Sequence, residues 1–232
     1  MTGTDAGSSE RDHHPDPPPG TGLWSRSARR WTAVLLLPVL TGFVVSAFVV
    51  QPFLIPSGSM EGTLRVGDRV MVNKLAYRFG GSVQRGDIVV FDGRGSFAGV
   101  PGDSGPLGGL RQAGARVGLT DTPGTDYVKR VIGIGGDRVT CCDSRGNLEV
   151  NGEPLEEPYL FPGDDPSAVR FDIEVPEGRL WVMGDHRSDS ADSRDYLGAP
   201  GGGTVPEDKV IGRADWIGWP MSRWRSLRTD DG

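Results

Sequence analysis

Serine and lysine are the residues of this chain whose types and positions best suit nucleophilic chemistry. Two serines lie in the segment Ile55-Pro56-Ser57-Gly58-Ser59-Met60, a few residues after an apolar run that ends near Val50. A serine hydroxyl becomes a nucleophile when a neighbouring base removes its proton. A Ser-His-Asp triad needs a histidine, and His186 is the only one outside the polar N-terminal segment. A lysine can replace histidine as the base if burial disfavours its charge.

Lys129 has the most apolar neighbourhood of the three lysines that follow the apolar run. Its neighbours in sequence include Tyr127, Val128, Val131 and Ile132. In a strand, Lys129 points to the side opposite Val128, so its amine loses water only if both faces are covered. The alternative is a lysine whose stem packs on the sheet while its amine reaches solvent. The residues alone leave both interpretations open, and neither a G-x-S-x-G elbow nor an S-x-x-K motif occurs.

The sequence gives little support for a metal site. Cys141 and Cys142 are adjacent, whereas zinc sites use several ligands at spacings such as Cys-x-x-Cys. Adjacent cysteines lie at the short limit of bridgeable geometry, so free thiols are favoured over a disulfide. His13 and His14 lie in a proline-rich polar segment, where solvated side chains are the simpler interpretation. No metal and no organic cofactor is expected.

Composition limits the class of protein and of partner. The 232 residues include 36 glycines and 18 prolines and carry a net charge of −6. This content disfavours long soluble helices and favours short strands joined by turns. Because no basic stripe interleaved with aromatic residues occurs, nucleic acid is not an expected partner.

An uncharged apolar segment near the N-terminus predicts a membrane anchor. Residues 1–30 are polar and rich in Gly, Ser and Pro, so a disordered tail is predicted there. The run that follows matches the roughly 20 residues that cross a bilayer, which predicts a transmembrane helix over residues 31–51. Three arginines precede it and keep the N-terminus in the cytoplasm by the positive-inside rule. A cleaved signal peptide is the alternative, weakened by the long polar lead and the poor cleavage site near Ser46.

Beyond the apolar run, short β-branched segments predict a mainly β domain over residues 52–224. The predicted strands are Arg69–Asn73, Asp87–Phe91, Val128–Ile132, Leu148–Val150 and Arg179–Met183. Asn151-Gly152 predicts a hairpin turn, because both residues tolerate positive φ. The glycine-rich residues 93–124 predict a surface insertion, and residues 225–232 a tail. Near the end, a role in structural packing is predicted for Trp216, Trp219 and Trp224.

Three serine-rich or lysine-bearing segments follow the apolar run. They are, in order, Pro56–Met60 followed by Thr63-Leu64, Tyr127–Gly133 followed by Gly136-Asp137, and Gly184–Arg194, which ends in Ser-x-Asp-Ser-Arg. In this order they resemble the sequence boxes of bacterial type I signal peptidases. The resemblance covers roughly residues 25–215. Gly62 and Gly135 stand where many members have proline. These replacements are expected to loosen two turns, with an effect on local rigidity and substrate fit, and they remove no reacting group.

The resemblance implies a Ser/Lys dyad protease. Ser59 is expected to be the nucleophile and Lys129, in its neutral form, the general base. Ser190 is expected to hydrogen-bond the lysine nitrogen and orient it. The oxyanion is expected to be held by the backbone N–H of Ser59 and the hydroxyl of Ser57.

Further roles follow from the same resemblance. Asp192 and Arg194 are expected to support the site through charge-assisted hydrogen bonds, and His186 is interpreted as structural. A peptide is expected to bind as an added strand. The edges of its groove are expected to be lined by Phe53, Ile55, Pro56, Met60, Leu64, Tyr127 and Val128.

The implied substrates are preproteins that carry signal peptides, cleaved after small-x-small motifs such as Ala-x-Ala. The implied fold is an antiparallel β catalytic domain, shared with self-cleaving repressor-type Ser/Lys proteases, with a smaller inserted β region near residues 138–178. The implied location is a bacterial plasma membrane, with the catalytic domain outside the cytoplasm beside the lipid bilayer and the Sec or Tat export machinery. A repressor-type protease would need a DNA-binding helix-turn-helix, and a non-enzymatic surface domain would tolerate loss of Ser59 and Lys129.

Overall fold

The computed structural model describes residues 31–32, 34, 36–43, 48–97 and 126–228. The chain divides into two compact units, residues 1–41 and residues 42–232. The described residues of the first unit are helical. Across the described ranges, no helix combines the length and apolar character needed to cross a membrane. The predicted tail over residues 1–30 and most of the glycine-rich segment lie outside these ranges.

The described residues of the second unit form two antiparallel sheets. The larger sheet is formed by β1 (Val50–Leu54), β2 (Arg69–Asn73), β3 (Ile88–Asp92), β4 (Asp126–Ile134), β9 (Arg179–Met183), β10 (Val205–Pro206), β11 (Val210–Trp219) and β12 (Arg225–Ser226). Its order is β1-β2-β11-β3-β4-β9-β10, and β12 pairs with β11. The smaller sheet is formed by β5 (Arg138–Cys141), β6 (Leu148–Val150), β7 (Glu153–Pro154) and β8 (Phe171–Glu174), in the order β7-β6-β5-β8. The prediction of a mainly β antiparallel domain is confirmed.

Within the described ranges, four short 3-10 turns connect the strands. They are Gly58–Met60, Arg187–Asp189, Glu207–Lys209 and Met221–Arg223. The first two lie close together and belong to the candidate site. Each is one turn long, so the site depends on the sheet for its support.

Strand β4 is covered on both faces. It pairs with β3 on one side and β9 on the other, and its residues 129–133 are all buried. One apolar cluster includes Val128 with β1, β2 and β11 residues, and another includes Val131 with Val89 and Val182. A third cluster joins the small sheet to Trp181 and Met183 of β9. A lysine in β4 is therefore placed in the protein interior.

Several local predictions are confirmed. The predicted bounds of β2, β6 and β9 match the structure, and β3 is shifted by one residue. Asn151 and Gly152 have φ values of 56° and 83° and join β6 to β7 in a tight hairpin. This agreement follows because turn chemistry and strand alternation are local properties of the sequence.

Other predictions need correction. Cys141 and Cys142 form a disulfide, against the preference for free thiols. Trp216, Trp219 and Trp224 are 46%, 56% and 60% exposed, so packing in the core does not explain them. Two boundaries also move. Val50 and Gln51, assigned above to the anchor, belong to β1, and Arg225–Ser226, assigned to the tail, pair with β11.

Candidate active site

Ser59 lies in the 3-10 turn Gly58–Met60, which follows β1. The side chains of Met60 and Leu64 are 1% and 0% exposed, and the N–H groups of Thr63 and Leu64 both donate to the carbonyl of Met60, at 3.1 and 2.7 Å. The buried side chains and these two hydrogen bonds hold the turn in place. Ser59 itself is only half-buried, so its hydroxyl can meet a substrate.

Ser57 precedes this turn and is exposed. Its Oγ lies 3.5 Å from the Oγ of Ser59. A hydroxyl at that distance is close enough to donate to a negatively charged oxygen that forms on a carbon bound to Ser59. The role of Ser57 at the oxyanion stays a prediction.

Lys129 lies in the buried part of β4 and is 3% exposed. Its Nζ donates a hydrogen bond of 3.0 Å to the Oγ of Ser190. Burial lowers the pKa of Lys129 from 10.5 to about 8, and the nearby carboxylate of Asp192 opposes part of this effect. About one molecule in ten therefore carries a neutral amine at pH 7. The interpretation of Lys129 as a lysine that reaches solvent is excluded.

Ser190 is held in a fixed orientation by Asp192. The Ser190 hydroxyl donates to Asp192 Oδ2 at 2.7 Å, so it accepts, rather than donates, in its contact with Lys129. Asp192 is fully buried and also accepts from the N–H of Gly184 at 2.9 Å and from Arg194 Nε and Nη2, both at 2.8 Å. Although burial raises the pKa of Asp192, the hydrogen bonds and charge of Arg194 outweigh it and the pKa is lowered.

Gly184 brings the serine turn and the lysine's partner together. A Cβ atom at this position would collide with both the Ser190 hydroxyl and the Ser59 carbonyl oxygen. His186, two residues later, makes a second contact with the serine turn: its N–H donates to the Ser59 carbonyl oxygen at 3.2 Å. The serine turn also lies against β4, the strand of Lys129. Ser59, Lys129 and Ser190 thus share one small region, although they are far apart in sequence.

A buried ion pair, not predicted as part of the site, ties these segments together. Arg130 follows Lys129 and donates to both carboxylate oxygens of Asp185, at 2.8 and 2.7 Å. The Thr63 hydroxyl donates to Asp185 at 2.5 Å and accepts from Arg130 at 3.1 Å. The guanidinium carbon of Arg130 lies 3.9 Å from the ring centre of Tyr159. Arg130 and Asp185 each lie inside one of the sequence boxes, which was the available signal.

The residues predicted to line the peptide groove divide into two groups. Phe53, Ile55, Met60 and Leu64 are at most 5% exposed and belong to one core cluster, so they offer little surface to a peptide. Pro56 is exposed and Tyr127 and Val128 are half-buried. Tyr127 packs against Phe91 and Phe97, whereas Val128 packs against the cluster of the first four. Groove lining by all seven residues stays a prediction.

His186 has the contacts of a structural residue. Its ring stacks on Phe161 with centroids 4.0 Å apart, and its Nδ1 is 3.9 Å from a carboxylate oxygen of Glu61. Within the described ranges, no group of three or more His, Cys, Asp or Glu residues is arranged to hold a metal ion.

Comparisons with known proteins indicate the family of this chain. The sequence model described as "Signal peptidase, peptidase S26" matches residues 28–219. Signal peptidase I of Mycobacterium tuberculosis is 43% identical over 228 residues, which cover 88% of this chain and 77% of that protein. Signal peptidase I of Bacillus licheniformis is 30% identical over 203 residues, which cover 84% of this chain and 90% of that protein.

Among solved structures, a signal peptidase I of Enterococcus faecalis matches with a TM-score of 0.36 and 26% identity, over 57% of this chain and 96% of that one. The family model and the two signal peptidases described above match this chain by sequence. On that sequence evidence, the chain belongs to the bacterial type I signal peptidases of family S26.

Proposed function

We propose that this hydrolase removes signal peptides from exported preproteins with Ser59 as nucleophile and Lys129 as general base. The observation that carries the proposal is the buried amine of Lys129, hydrogen-bonded to Ser190 beside the serine turn. A lysine can act as a base near neutral pH only when its pKa is lowered towards 7–8. Burial provides this shift here.

The hydrogen bonds of Ser190 suit the proton transfer. A neutral amine has two N–H bonds and one lone pair, and one N–H is used in the bond to Ser190. Because the Ser190 hydrogen is already donated to Asp192, it does not compete for the amine lone pair. That lone pair remains to take the proton of Ser59 as its Oγ attacks the scissile carbonyl.

The remaining steps use the same groups. The oxyanion of the tetrahedral intermediate accepts hydrogen bonds from the Ser59 N–H and, after rotation, from the Ser57 hydroxyl. One such donor contributes about 3–4 kcal/mol to lowering the barrier. The ammonium of Lys129 then protonates the amine of the departing mature protein, and the signal peptide stays esterified to Ser59. Water, deprotonated by Lys129, hydrolyses this ester and restores the enzyme.

The proposed substrates are cleaved after small-x-small motifs, from a peptide that binds as an added strand. The half-buried Tyr127 and Val128, together with Pro56, are the groove candidates with accessible surface. Retention in the membrane by the apolar segment that starts at Trp31, with the β domain outside the cytoplasm, is part of the proposal. It is supported by the uncharged run and the arginines before it.

Cleavage of a preprotein by purified variants tests the proposal. We expect Ser59→Ala and Lys129→Ala each to reduce kcat/KM by at least about 1,000-fold, because neither can form the acyl-enzyme efficiently. Lys209→Ala, which removes a lysine from a surface 3-10 turn, is the matched control and keeps normal cleavage. If either dyad variant cleaves at the rate of the control, the proposed mechanism is wrong.

A further inference from the structure

A cavity of about 530 Å³ opens beside the serine turn. Its walls include three arginines from two segments, one glutamate and two apolar residues, which are Arg65, Arg223, Arg225, Glu61, Phe161 and Pro162. We call it the arginine pocket. Nothing in the proposed mechanism uses it.

The charges of the arginine pocket are only partly neutralised. Arg223 pairs with the buried carboxylate of Asp68 at 3.1 Å. In the described part of the chain, neither Arg65 nor Arg225 has a carboxylate within ion-pair distance. Arg225 instead donates to the carbonyl of Thr63 at 2.6 Å. Among the described residues that line the wall, Glu61 is the one acid, so the pocket keeps an excess of positive charge.

One donor in the pocket is buried without an acceptor. Nη1 of Arg223 is buried and makes no hydrogen bond within the described residues. A buried donor of this kind costs free energy until an acceptor reaches it. The exposed guanidinium groups of Arg65 and Arg225 line the same pocket, and they are donors suited to a carboxylate.

The pocket lies close to the proposed nucleophile, and the chemistry of the substrate indicates which part of it could reach the pocket. Glu61 and Thr63 on the pocket wall come two and four residues after Ser59. Before the scissile bond, the substrate has its small-x-small motif and the apolar part of the signal peptide, so an acidic side chain near Ser59 belongs to the mature protein. An extended peptide that runs past Ser59 advances about 3.3 Å per residue. The first few residues after the scissile bond therefore come within side-chain reach of the pocket.

We infer that the arginine pocket binds an acidic side chain in the first residues of the mature protein. This inference rests on the proposed function, because it assumes that a preprotein is bound across Ser59. The enzyme then favours preproteins with Asp or Glu just after the cleavage site. The apolar wall of Phe161 and Pro162 covers the methylene groups of that side chain.

The test compares model preprotein peptides that differ only by Glu or Gln at one of the first five mature positions. For the wild-type protein we expect the Glu peptide to exceed the Gln peptide in kcat/KM by about threefold to tenfold at the best position. In Arg65→Ala, Arg225→Ala and the double variant this ratio falls towards one. Because each ratio is taken within one protein, partial loss of folded enzyme does not change it.

Arg78→Ala is the matched control, since Arg78 is exposed and lies outside the pocket. It removes the same charge and keeps the wild-type ratio. A wild-type ratio of one at all five positions, or an unchanged ratio in the double variant, would overturn the inference.

Binding separates failure of the pocket from failure of the proposed nucleophile. Fluorescence anisotropy of the Glu and Gln peptides with the Ser59→Ala protein measures affinity without turnover. We expect the Glu peptide to bind about threefold to tenfold more tightly, and the difference to disappear when Arg65→Ala and Arg225→Ala are added. Equal affinities of the two peptides would contradict the inference even if Ser59 is not the nucleophile.

Discussion

Lys129 is the residue whose chemistry depends most on its surroundings. An ordinary lysine is almost fully protonated at neutral pH, and the burial of this one lowers its pKa to about 8. Asp192 limits the shift but does not cancel it, because its own charge is shared with Arg194. Ser190 lies between the amine and that carboxylate and keeps them from direct contact. The amine of Lys129 therefore stays available as a base and is not paired directly with a carboxylate.

The pH dependence of cleavage follows from this pKa. The active form of Lys129 is neutral, so we expect kcat/KM to rise about tenfold per pH unit below pH 8 and to level off above it. Initial rates of peptide cleavage between pH 6 and 10.5 measure the profile. A plateau that begins only near pH 10.5 would mean that the amine is not desolvated in solution.

The same amine should reduce stability. Its pKa is lower in the folded state, so the unfolded chain binds the proton more tightly. The resulting decrease in the free energy of unfolding is fully present below pH 8 and disappears as the pH rises to 10.5. The difference between these pKa values corresponds to about 3 kcal/mol. We expect Lys129→Met to increase the free energy of unfolding at pH 7 by up to this amount, with the gain shrinking above pH 8.

Thermal unfolding in detergent at several pH values measures this difference. Ser59→Ala is the control, because it removes activity without removing the buried charge. If Lys129→Met is less stable than wild type at pH 7, the amine contributes more through its hydrogen bond than it costs through burial.

At the scale of elements, the serine turn depends on contacts with segments distant in sequence. Asp185 receives hydrogen bonds from Arg130 of the strand that carries Lys129 and from Thr63 of the loop after Ser59. Gly62, which lies between Ser59 and Thr63 in the chain, has a φ of +101°, and its backbone lies close to the carbonyl oxygen of Tyr159. Proline, which many family members have here, fixes φ near −65° and could not adopt this backbone. Glycine in place of proline at position 62 therefore fits one specific turn conformation, and it does not simply loosen the turn as expected from the sequence.

Gly62→Ala should destabilise the protein. Its φ is unfavourable for alanine, and the added Cβ would lie 2.6 Å from the carbonyl oxygen of Tyr159. We expect a loss of about 2–4 kcal/mol in the free energy of unfolding, together with reduced cleavage. Gly67→Ala separates the two causes, because Gly67 has a φ of +89° but open space around its Cβ position. Equal losses in the two variants would show that the approach to Tyr159 does not matter.

At the scale of the whole molecule, the β domain contains its own core. In the part of the chain that the structure describes, the three apolar clusters are formed by residues from Phe53 to Leu227. The second compact unit starts at Gly42. The small sheet packs on β9 through Trp181 and Met183, so both sheets share one interior. A domain with its own core can fold without the segment before it.

A chain that starts at Gly42 tests this independence and the proposed anchor together. We expect its thermal midpoint to lie within about 5 °C of the full chain in the same detergent, since no core cluster is lost. In cell membranes washed with alkaline carbonate, the full chain should stay in the pellet and the shortened chain should be released. A full chain released by carbonate would contradict the anchor, and an unfolded shortened chain would contradict the independence of the domain.

The sequence by itself determined the local features of this protein. Alternation predicted the bounds of β2, β6 and β9, and Asn151-Gly152 predicted a hairpin. The order of three boxes led to the family that the comparisons support. These features depend on residues that are neighbours in sequence, so they can be recognised without knowing which strands pair.

Only the tertiary structure decided which of these residues meet and which lose water. It placed Lys129 between β3 and β9, set Ser190 against it, and brought Arg65 and Arg225 to one pocket. It also buried four predicted groove residues and left three tryptophans exposed. The physical reason is that burial and pKa depend on what covers a side chain from elsewhere in the chain, and long-range strand pairing is not visible in local sequence.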